Sequence, residues 1–183
     1  MNHLAKIILA LLFLLSFVPV GVCENLRVLE KTFCLKMNRP ACELPAISTE
    51  VPLSSIQNVE GGVARLYFWT SIEVNNDRNI VHVWSASNRS DVWAEHVHVS
   101  TSDRFMNLAR EFLSYLRELY FVLHKTDPSV HSVQGVFLDL EESPRFRTYS
   151  AIRAFPGTYT VEVRNLEQKV VPGGEAKTIT IVP

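Results

Sequence analysis

The chain has 183 residues, of which 47% are hydrophobic and 20% are charged, and its formal net charge is −1. This apolar content is enough to bury a core, and the length suits one domain. The balanced charge gives no general attraction to nucleic acid or to acidic membranes, so nucleic-acid binding is not expected.

The first 23 residues predict a secretory signal peptide. Lys6 carries the only formal charge in this stretch, and residues 7–20 form an almost wholly apolar run. Such a pattern is typical of export signals, and the run is shorter than the roughly 20 residues of a membrane span. We expect cleavage after Cys23, a periplasmic or secreted product, and no membrane span within it. Acylation of Cys23, as in a lipoprotein, is the second interpretation, and an uncleaved anchor is the third.

Residues 24–183 are expected to form one domain that contains two cysteines, Cys34 and Cys42. An even pair in an oxidising compartment predicts a disulfide. Its loop is short, so its entropic stabilisation is modest compared with that of a long loop. The alternative is a pair of buried free thiols, because disulfide geometry is specific.

Several segments alternate between apolar and polar residues, which predicts half-buried antiparallel strands. The first is 26–36, and the Pro-, Ser- and Thr-containing stretch 40–60 is predicted to be a loop or an irregular edge. In the next strand, one face carries Leu66, Phe68, Thr70, Ile72 and Val74, and the other carries Arg65, Tyr67, Trp69, Ser71 and Glu73. Further strands are predicted at 79–85, 91–100, 133–140, 145–152, 157–165 and 177–182.

These strands predict a mainly β fold, an immunoglobulin-like antiparallel β-sandwich of about seven or eight strands. One inserted amphipathic helix is predicted at about 102–125, because apolar residues recur there at spacings of three and four. We expect its apolar stripe to pack on the sandwich, over the strand face that carries Tyr67 and Trp69. The alternatives are a helix that binds a partner and a strip of Tyr67 and Trp69 that stays open for binding.

Five segments follow one another in the order CLKMNRP, RLYFWTSI, VHVW, FRTYSAI and GTYTVEVRN. This series resembles the bacterial exported or membrane-attached family known as domain of unknown function 2914. The matching positions are Arg39-Pro40, the aromatic strand 66–70, His82 with Trp84, 147–150 and 157–163. The resemblance covers most of 33–171 and departs from the family at about 100–132 and at Tyr159, where Trp is more frequent. It implies a small β-sandwich on the outer side of the bacterial membrane, and no reaction.

His82, Trp84, Arg147 and Ser150 form the candidate ligand-binding set, together with the aromatic residues Tyr67 and Trp69. Arginine offers a planar fork to carboxylates, and ring faces stack on sugars, so an acidic sugar or another carboxylate is the expected ligand. The alternative, which we favour, is structural: Trp84 fills the core, Arg147 caps carbonyls or pairs with an acid such as Glu141, and Ser150 bonds the backbone.

Catalytic and metal sites receive less support from the sequence. Ser150, His82 and Asp139 contain the residue types of a nucleophile site, but a G-x-S-x-G elbow is missing. Asp139 and the neighbouring residues Glu141 and Glu142 could serve a glycosidase, although such acids are more often a solvated loop. His96 and His98 have a spacing that could hold zinc or copper if other ligands converged. We predict no catalytic residue, no metal and no cofactor.

The predicted function is a non-enzymatic binding or interaction module of the periplasm or cell envelope, with an envelope protein or carbohydrate as partner. A hydrolase that acts on envelope carbohydrate or peptide is one alternative, and a structural scaffold of an envelope assembly is another.

Overall fold

The computed structural model describes residues 26–57, 59–60, 62–75, 78–87, 103–127, 130 and 132–183, and leaves the side chains of 59–60, 78 and 103–112 undescribed. These residues form ten strands, one helix and a short 3-10 turn at Leu53–Ser55. The elements are β1 Leu26–Asn38, β2 Ala41–Pro45, β3 Glu50–Pro52, β4 Val59–Glu60, β5 Val63–Val74, β6 Arg78–Ala86, α1 Asp103–Thr126, β7 Ser132–Leu140, β8 Ser143–Arg153, β9 Gly157–Asn165 and β10 Lys177–Val182.

The strands form two sheets. The first contains β2, β1, β5 and β8 in that spatial order, and β4 pairs with the first residues of β5. The second has the order β3, β10, β9, β6 and β7. All pairs are antiparallel except β3 with β10. This arrangement confirms the predicted mainly β sandwich with one inserted helix.

The core lies between the two sheets, and strand alternation determines which side chains enter it. Leu66, Phe68 and Ile72 point inward from β5 and are fully buried. From the opposite sheet, Ile80 and Trp84 of β6 join the same apolar cluster. Because side chains alternate across a strand, the neighbours of these residues point to the outer faces of the sandwich.

Tyr159 at the start of β9 fixes the connection between β8 and β9. Its ring is fully buried, its hydroxyl donates to the carbonyl oxygen of Phe155 at 2.9 Å, and the Phe155 N–H donates back at 3.0 Å. A tyrosine that bonds the backbone a few residues upstream is a recurrent feature of β-sandwiches called the tyrosine corner.

The strand count exceeds the prediction because three short strands, β2, β3 and β4, lie within the stretch predicted to be irregular. Other predictions lie outside the described residues. These are the signal peptide at 1–23 and the strand at 91–100 with His96 and His98.

Helix α1 is inserted between β6 and β7, which are neighbours in the second sheet, and its bounds match the prediction of about 102–125. Leu116 is buried against an outward-facing cluster that contains Val81, Val83 and Phe137. The apolar stripe therefore packs on the outer face of the second sheet. The expectation that the helix covers Tyr67 and Trp69 is wrong, because both belong to the outer face of the first sheet.

Among the described residues, no helix combines the length and the apolar character needed to cross a membrane.

Candidate functional site

A chain of four polar side chains lies between the two sheets. His82 Nδ1 is 2.8 Å from Ser150 Oγ, and Trp84 Nε1 donates to the same oxygen at 2.9 Å. On the other side of the imidazole, Nε2 is 3.3 Å from Thr70 Oγ1. All four residues are buried. We call this set the buried polar chain, and it links β6 of one sheet to β5 and β8 of the other.

The donors and acceptors of the buried polar chain can be arranged so that both imidazole nitrogens are satisfied. The indole N–H can only donate, so Ser150 Oγ accepts from Trp84. The Ser150 hydroxyl can then donate to His82 Nδ1, which leaves the imidazole proton on Nε2, facing Thr70. This tautomer is assigned from the hydrogen-bond pattern, since hydrogen positions follow from partners.

His82 is held in its neutral form. Desolvation by burial lowers the pKa of this imidazole from 6.5 to about 3. The Phe68 ring meets it edge to face, with 5.2 Å between the ring centroids. A neutral imidazole with a hydrogen-bond partner on each nitrogen is stable inside a protein core. At 0% exposure it cannot contact a ligand in solution.

The same burial argues against a nucleophilic serine. Ser150 contacts His82, but it is 0% exposed, so a substrate carbonyl has no access to its hydroxyl. Asp139 is exposed, so it does not join the enclosed pair as a third member. The residue types of a Ser-His-Asp site are present without its geometry.

A second group of residues lies on the outer face of the first sheet. The register pairs Tyr149 of β8 with Trp69 of β5, and Arg147 with Ser71, so these residues share that face. Trp69 is nevertheless only 8% exposed, because the β1–β2 hairpin folds over it. Its Nε1 donates to the carbonyl oxygen of Pro40 at the hairpin tip, at 2.9 Å.

Arg39, also at the hairpin tip, contacts two tyrosines of the same face. Its guanidinium donates to the hydroxyl of Tyr67 at 3.4 Å and lies 5.6 Å from the centre of the Tyr149 ring. A cation over an aromatic face is attracted by the ring quadrupole. The hairpin thus places a positive charge above Tyr149 and closes Tyr67 off from solvent.

The disulfide predicted from the sequence is confirmed. Cys34 of β1 and Cys42 of β2 are bridged, with 5.7 Å between their Cα atoms. Cys34 is fully buried in a small cluster with Tyr67 and Ala151. The bridge therefore ties together the two arms of the hairpin that presents Arg39.

An open pocket of about 430 Å³ lies where the edge strands β7 and β8 run beside each other, and we call it the edge pocket. It is lined by Arg39, Leu138, Asp139, Phe146, Arg147, Thr148 and Tyr149. Leu138 and Phe146 belong to the margin of the main core and give the pocket an apolar surface. Two guanidinium groups and a tyrosine ring beside apolar carbons suit a ligand that carries a carboxylate on an apolar or CH-rich body.

The structure divides the six residues of the candidate ligand-binding set into three groups. His82, Trp84 and Ser150 are enclosed in the buried polar chain. Trp84 lies in the core as the structural alternative expects, whereas the Ser150 hydroxyl bonds two side chains and not the backbone. Tyr67 and Trp69 lie beneath the hairpin. Arg147 is exposed and lines the edge pocket.

Two residues of the edge pocket, Arg39 and Tyr149, were not among the predicted ligand residues. Tyr149 could have been found from Arg147, because residues two apart on a strand share a face. Arg39 has no comparable local signal for binding, since only the folding of the hairpin brings it to Tyr149.

The acidic residues and histidines do not assemble into a metal site within the described part of the chain, where no three potential ligands cluster. His96 and His98, whose spacing suggested a metal site, lie outside that part.

Comparison with models of known protein families gives no match, and comparison with curated proteins gives none either. The resemblance to domain of unknown function 2914 therefore stays a prediction.

Proposed function

We propose that this chain is a non-enzymatic binding module of the bacterial cell envelope, and that it holds a carboxylate-bearing ligand at the edge pocket. The observation that carries the proposal is the convergence of Arg39, Arg147 and Tyr149 on that pocket. Charge-assisted bonds from arginine to carboxylates are among the stronger hydrogen bonds in proteins, and the guanidinium fork adds geometric specificity.

The proposed location is the periplasm or the exterior. Its supports are the signal-like first 23 residues and the Cys34–Cys42 bridge, because disulfides persist in oxidising compartments. A lipoprotein attached through Cys23 is the alternative form of the same proposal. Intact-mass analysis of the mature protein should give an N-terminus at or near Glu24, and a lipid-bearing Cys23 would favour the alternative.

Two observations favour binding over hydrolysis. The edge pocket is lined by one carboxylate, Asp139, whereas a glycosidase uses a pair of them. The histidine of the described core is neutral and enclosed, so it is not available as a general base.

The scaffold alternative depends on the helix. Leu113, Tyr120, Phe121 and Val122 are its exposed large apolar residues within the part whose side chains are described. At 100° per residue, Leu113 and Tyr120 share one side, while Val122 points to the opposite side. These residues do not form one continuous strip, so they support a contact surface less well than the edge pocket supports a ligand.

The proposal can be tested by titration calorimetry on the mature protein. We expect trigalacturonate, or a glutamate-rich peptide, to bind, and a neutral sugar or peptide of equal length to bind much more weakly. Arg147→Gln should weaken binding about 10- to 100-fold, because a hydrogen bond to a charged group contributes roughly 1.5–3 kcal/mol. Arg117→Gln is the matched control, since Arg117 is an exposed arginine on α1.

Equal weakening by the two substitutions would show that overall charge, and not the edge pocket, attracts the anions. Failure of both acidic probes to bind would overturn the proposal. Affinity purification from envelope extract, repeated with Arg147→Gln, would then show whether the site has a natural partner of another kind.

A further inference from the structure

Within the part of the chain that the structure describes, β8 lies at an edge of the first sheet. It pairs with β5 over the register from Arg65–Arg153 to Val74–Ser143, and no strand among the described residues pairs with its other side. Edge strands present N–H and C=O groups to which another extended chain can bond. The edge pocket lies alongside this open side, next to Arg147 and Tyr149.

The register shows which backbone groups of β8 point outward. The Ala154 N–H donates to the carbonyl oxygen of Ala64 at 2.9 Å, so this pair is hydrogen-bonded. Bonded and non-bonded pairs alternate along antiparallel strands. Thr148 and Ser150 therefore bond to β5, whereas the backbone N–H and C=O groups of Arg147 and Tyr149 point away from it.

The charged side chains of β8 are all arginines, although the carboxylate of Asp139 also lines the edge pocket. Arg145, Arg147 and Arg153 project from alternate positions of β8 and are exposed, and Arg39 stands over Tyr149. Glu30 pairs with Arg145. Arg147 has no ion-pair or hydrogen-bond partner among the described residues. The open backbone groups of β8 and the exposed guanidinium of Arg147 thus occur at the same place.

We propose that an extended acidic peptide segment of a partner protein adds to the open edge of β8 as a further strand. This inference rests on the proposed function, because it uses the same site and names the partner. Backbone hydrogen bonds to Arg147 and Tyr149 supply affinity, as in other cases of strand addition. Carboxylates at alternate positions of the segment meet Arg147 and Arg39, which gives selectivity for acidic sequences.

Two other occupants fit the edge less well. A second copy that paired through its own β8 would bring arginines opposite arginines, and like charges on neighbouring strands are destabilising. An acidic carbohydrate offers carboxylates but lacks the regular row of amide N–H and C=O groups that the strand edge can bond.

Amide hydrogen exchange followed by NMR tests strand addition directly. The probe is the peptide Thr-Glu-Val-Glu-Val-Glu-Thr, added at saturating concentration to the mature protein. The amides of Arg147 and Tyr149 should exchange about tenfold or more slowly with peptide bound, because their N–H groups acquire acceptors. The amides of Thr148 and Ser150, already bonded to β5, should change little and serve as internal controls.

Two methylated peptides provide the matched probe controls. One carries N-methyl groups on the backbone amides of its glutamates, and the other on those of its valines. Because alternate residues direct their N–H groups to opposite edges of a strand, each peptide loses N–H donors along one edge and keeps all its charges. Strand addition requires at least one of them to bind about tenfold or more weakly than the parent. Equal binding by all three peptides overturns the inference.

The outcomes separate this inference from the proposed function. If trigalacturonate binds in an Arg147-dependent manner and the peptide does not, the edge pocket binds carboxylates but strand addition is wrong. If the peptide binds without slowing exchange at Arg147 and Tyr149, its charge alone is recognised, and strand addition is again wrong. If neither probe binds, both proposals fail.

Discussion

The buried polar chain and the edge pocket both contain hydrogen-bonding side chains, but in opposite surroundings. Ser150 and Arg147 lie three residues apart on β8, yet Ser150 is fully buried between the sheets and Arg147 is exposed. In the first region, polar atoms bond to one another. In the second, guanidinium groups and a ring surround open space.

This difference shows that residue type alone does not identify a binding site. Burying an imidazole costs free energy unless its nitrogens find partners, and His82 finds Thr70 and Ser150. Such a network stabilises a particular packing of the two sheets and leaves no polar atom of the imidazole for a ligand. Arg147 can contact a ligand and His82 cannot, because Arg147 is exposed to solvent and His82 is enclosed.

The largest expected effect comes from removing the indole that donates into the buried polar chain. Trp84→Ala should lower the free energy of unfolding by about 3–5 kcal/mol, because it opens a cavity and removes a partner of Ser150. Trp84→Phe keeps most of the packing and loses the N–H, so roughly 1–3 kcal/mol is expected. Urea unfolding measures both, and an Ala variant as stable as the parent would contradict the enclosed position.

Much of the fold could be predicted from local patterns. The alternation that put Phe68 inward and Tyr67 outward is confirmed, as are the helix and the disulfide. The same rule could have shown that Arg147 and Ser150 do not share a site, since residues three apart on a strand point to opposite faces.

The edge pocket could not be derived from the sequence in the same way. It depends on the β1–β2 hairpin folding across the first sheet, which brings Arg39 to Tyr149, 110 positions apart in the chain. It also depends on β7 and β8 forming matching edges of two different sheets. These are long-range packing relations that periodicity does not encode.

Helix α1 allows the contrast between enclosed and accessible residues to be tested with one residue type. Leu116 is 7% exposed and packs on the second sheet, whereas Leu113, three residues earlier, is 59% exposed. Leu116→Ala should cost roughly 2–5 kcal/mol of unfolding free energy, and Leu113→Ala about 0.5 kcal/mol or less. Similar melting temperatures for the two variants would show that the helix does not pack in solution as described.

The neutral state of His82 predicts a dependence of stability on pH. Its pKa is about 3 in the folded chain, and the ordinary imidazole pKa of 6.5 applies to the unfolded chain. Above pH 6.5 neither state binds the proton. Below it the unfolded state does and the folded state does not, so stability falls as the pH falls from about 6.5 towards 3. The slope is about 1.4 kcal/mol per pH unit, or roughly 2 kcal/mol between pH 6.5 and 5.

Urea unfolding at several pH values, with two histidine variants, tests this dependence. His82→Gln should lose that slope whatever its stability at pH 7, because the titrating group is gone. His124→Gln should keep it, since His124 is exposed on α1. A slope that survives in His82→Gln would assign the effect to other groups and argue against a neutral, enclosed imidazole.

The smallest effect on stability is expected at the residue with the largest expected effect on binding. Arg147 is exposed and, among the described residues, takes part in no ion pair, so Arg147→Gln should change the unfolding free energy by about 0.5 kcal/mol or less. For a chain of this size, that corresponds to a shift in melting temperature of about 2 °C or less.

Differential scanning calorimetry measures the shift, with Arg117→Gln as the control for losing one positive charge. A loss above about 1.5 kcal/mol would place Arg147 among the residues that stabilise the fold, because ordinary surface substitutions do not cost so much. Its role would then resemble that of Ser150, and the distinction between the two regions of β8 would fail.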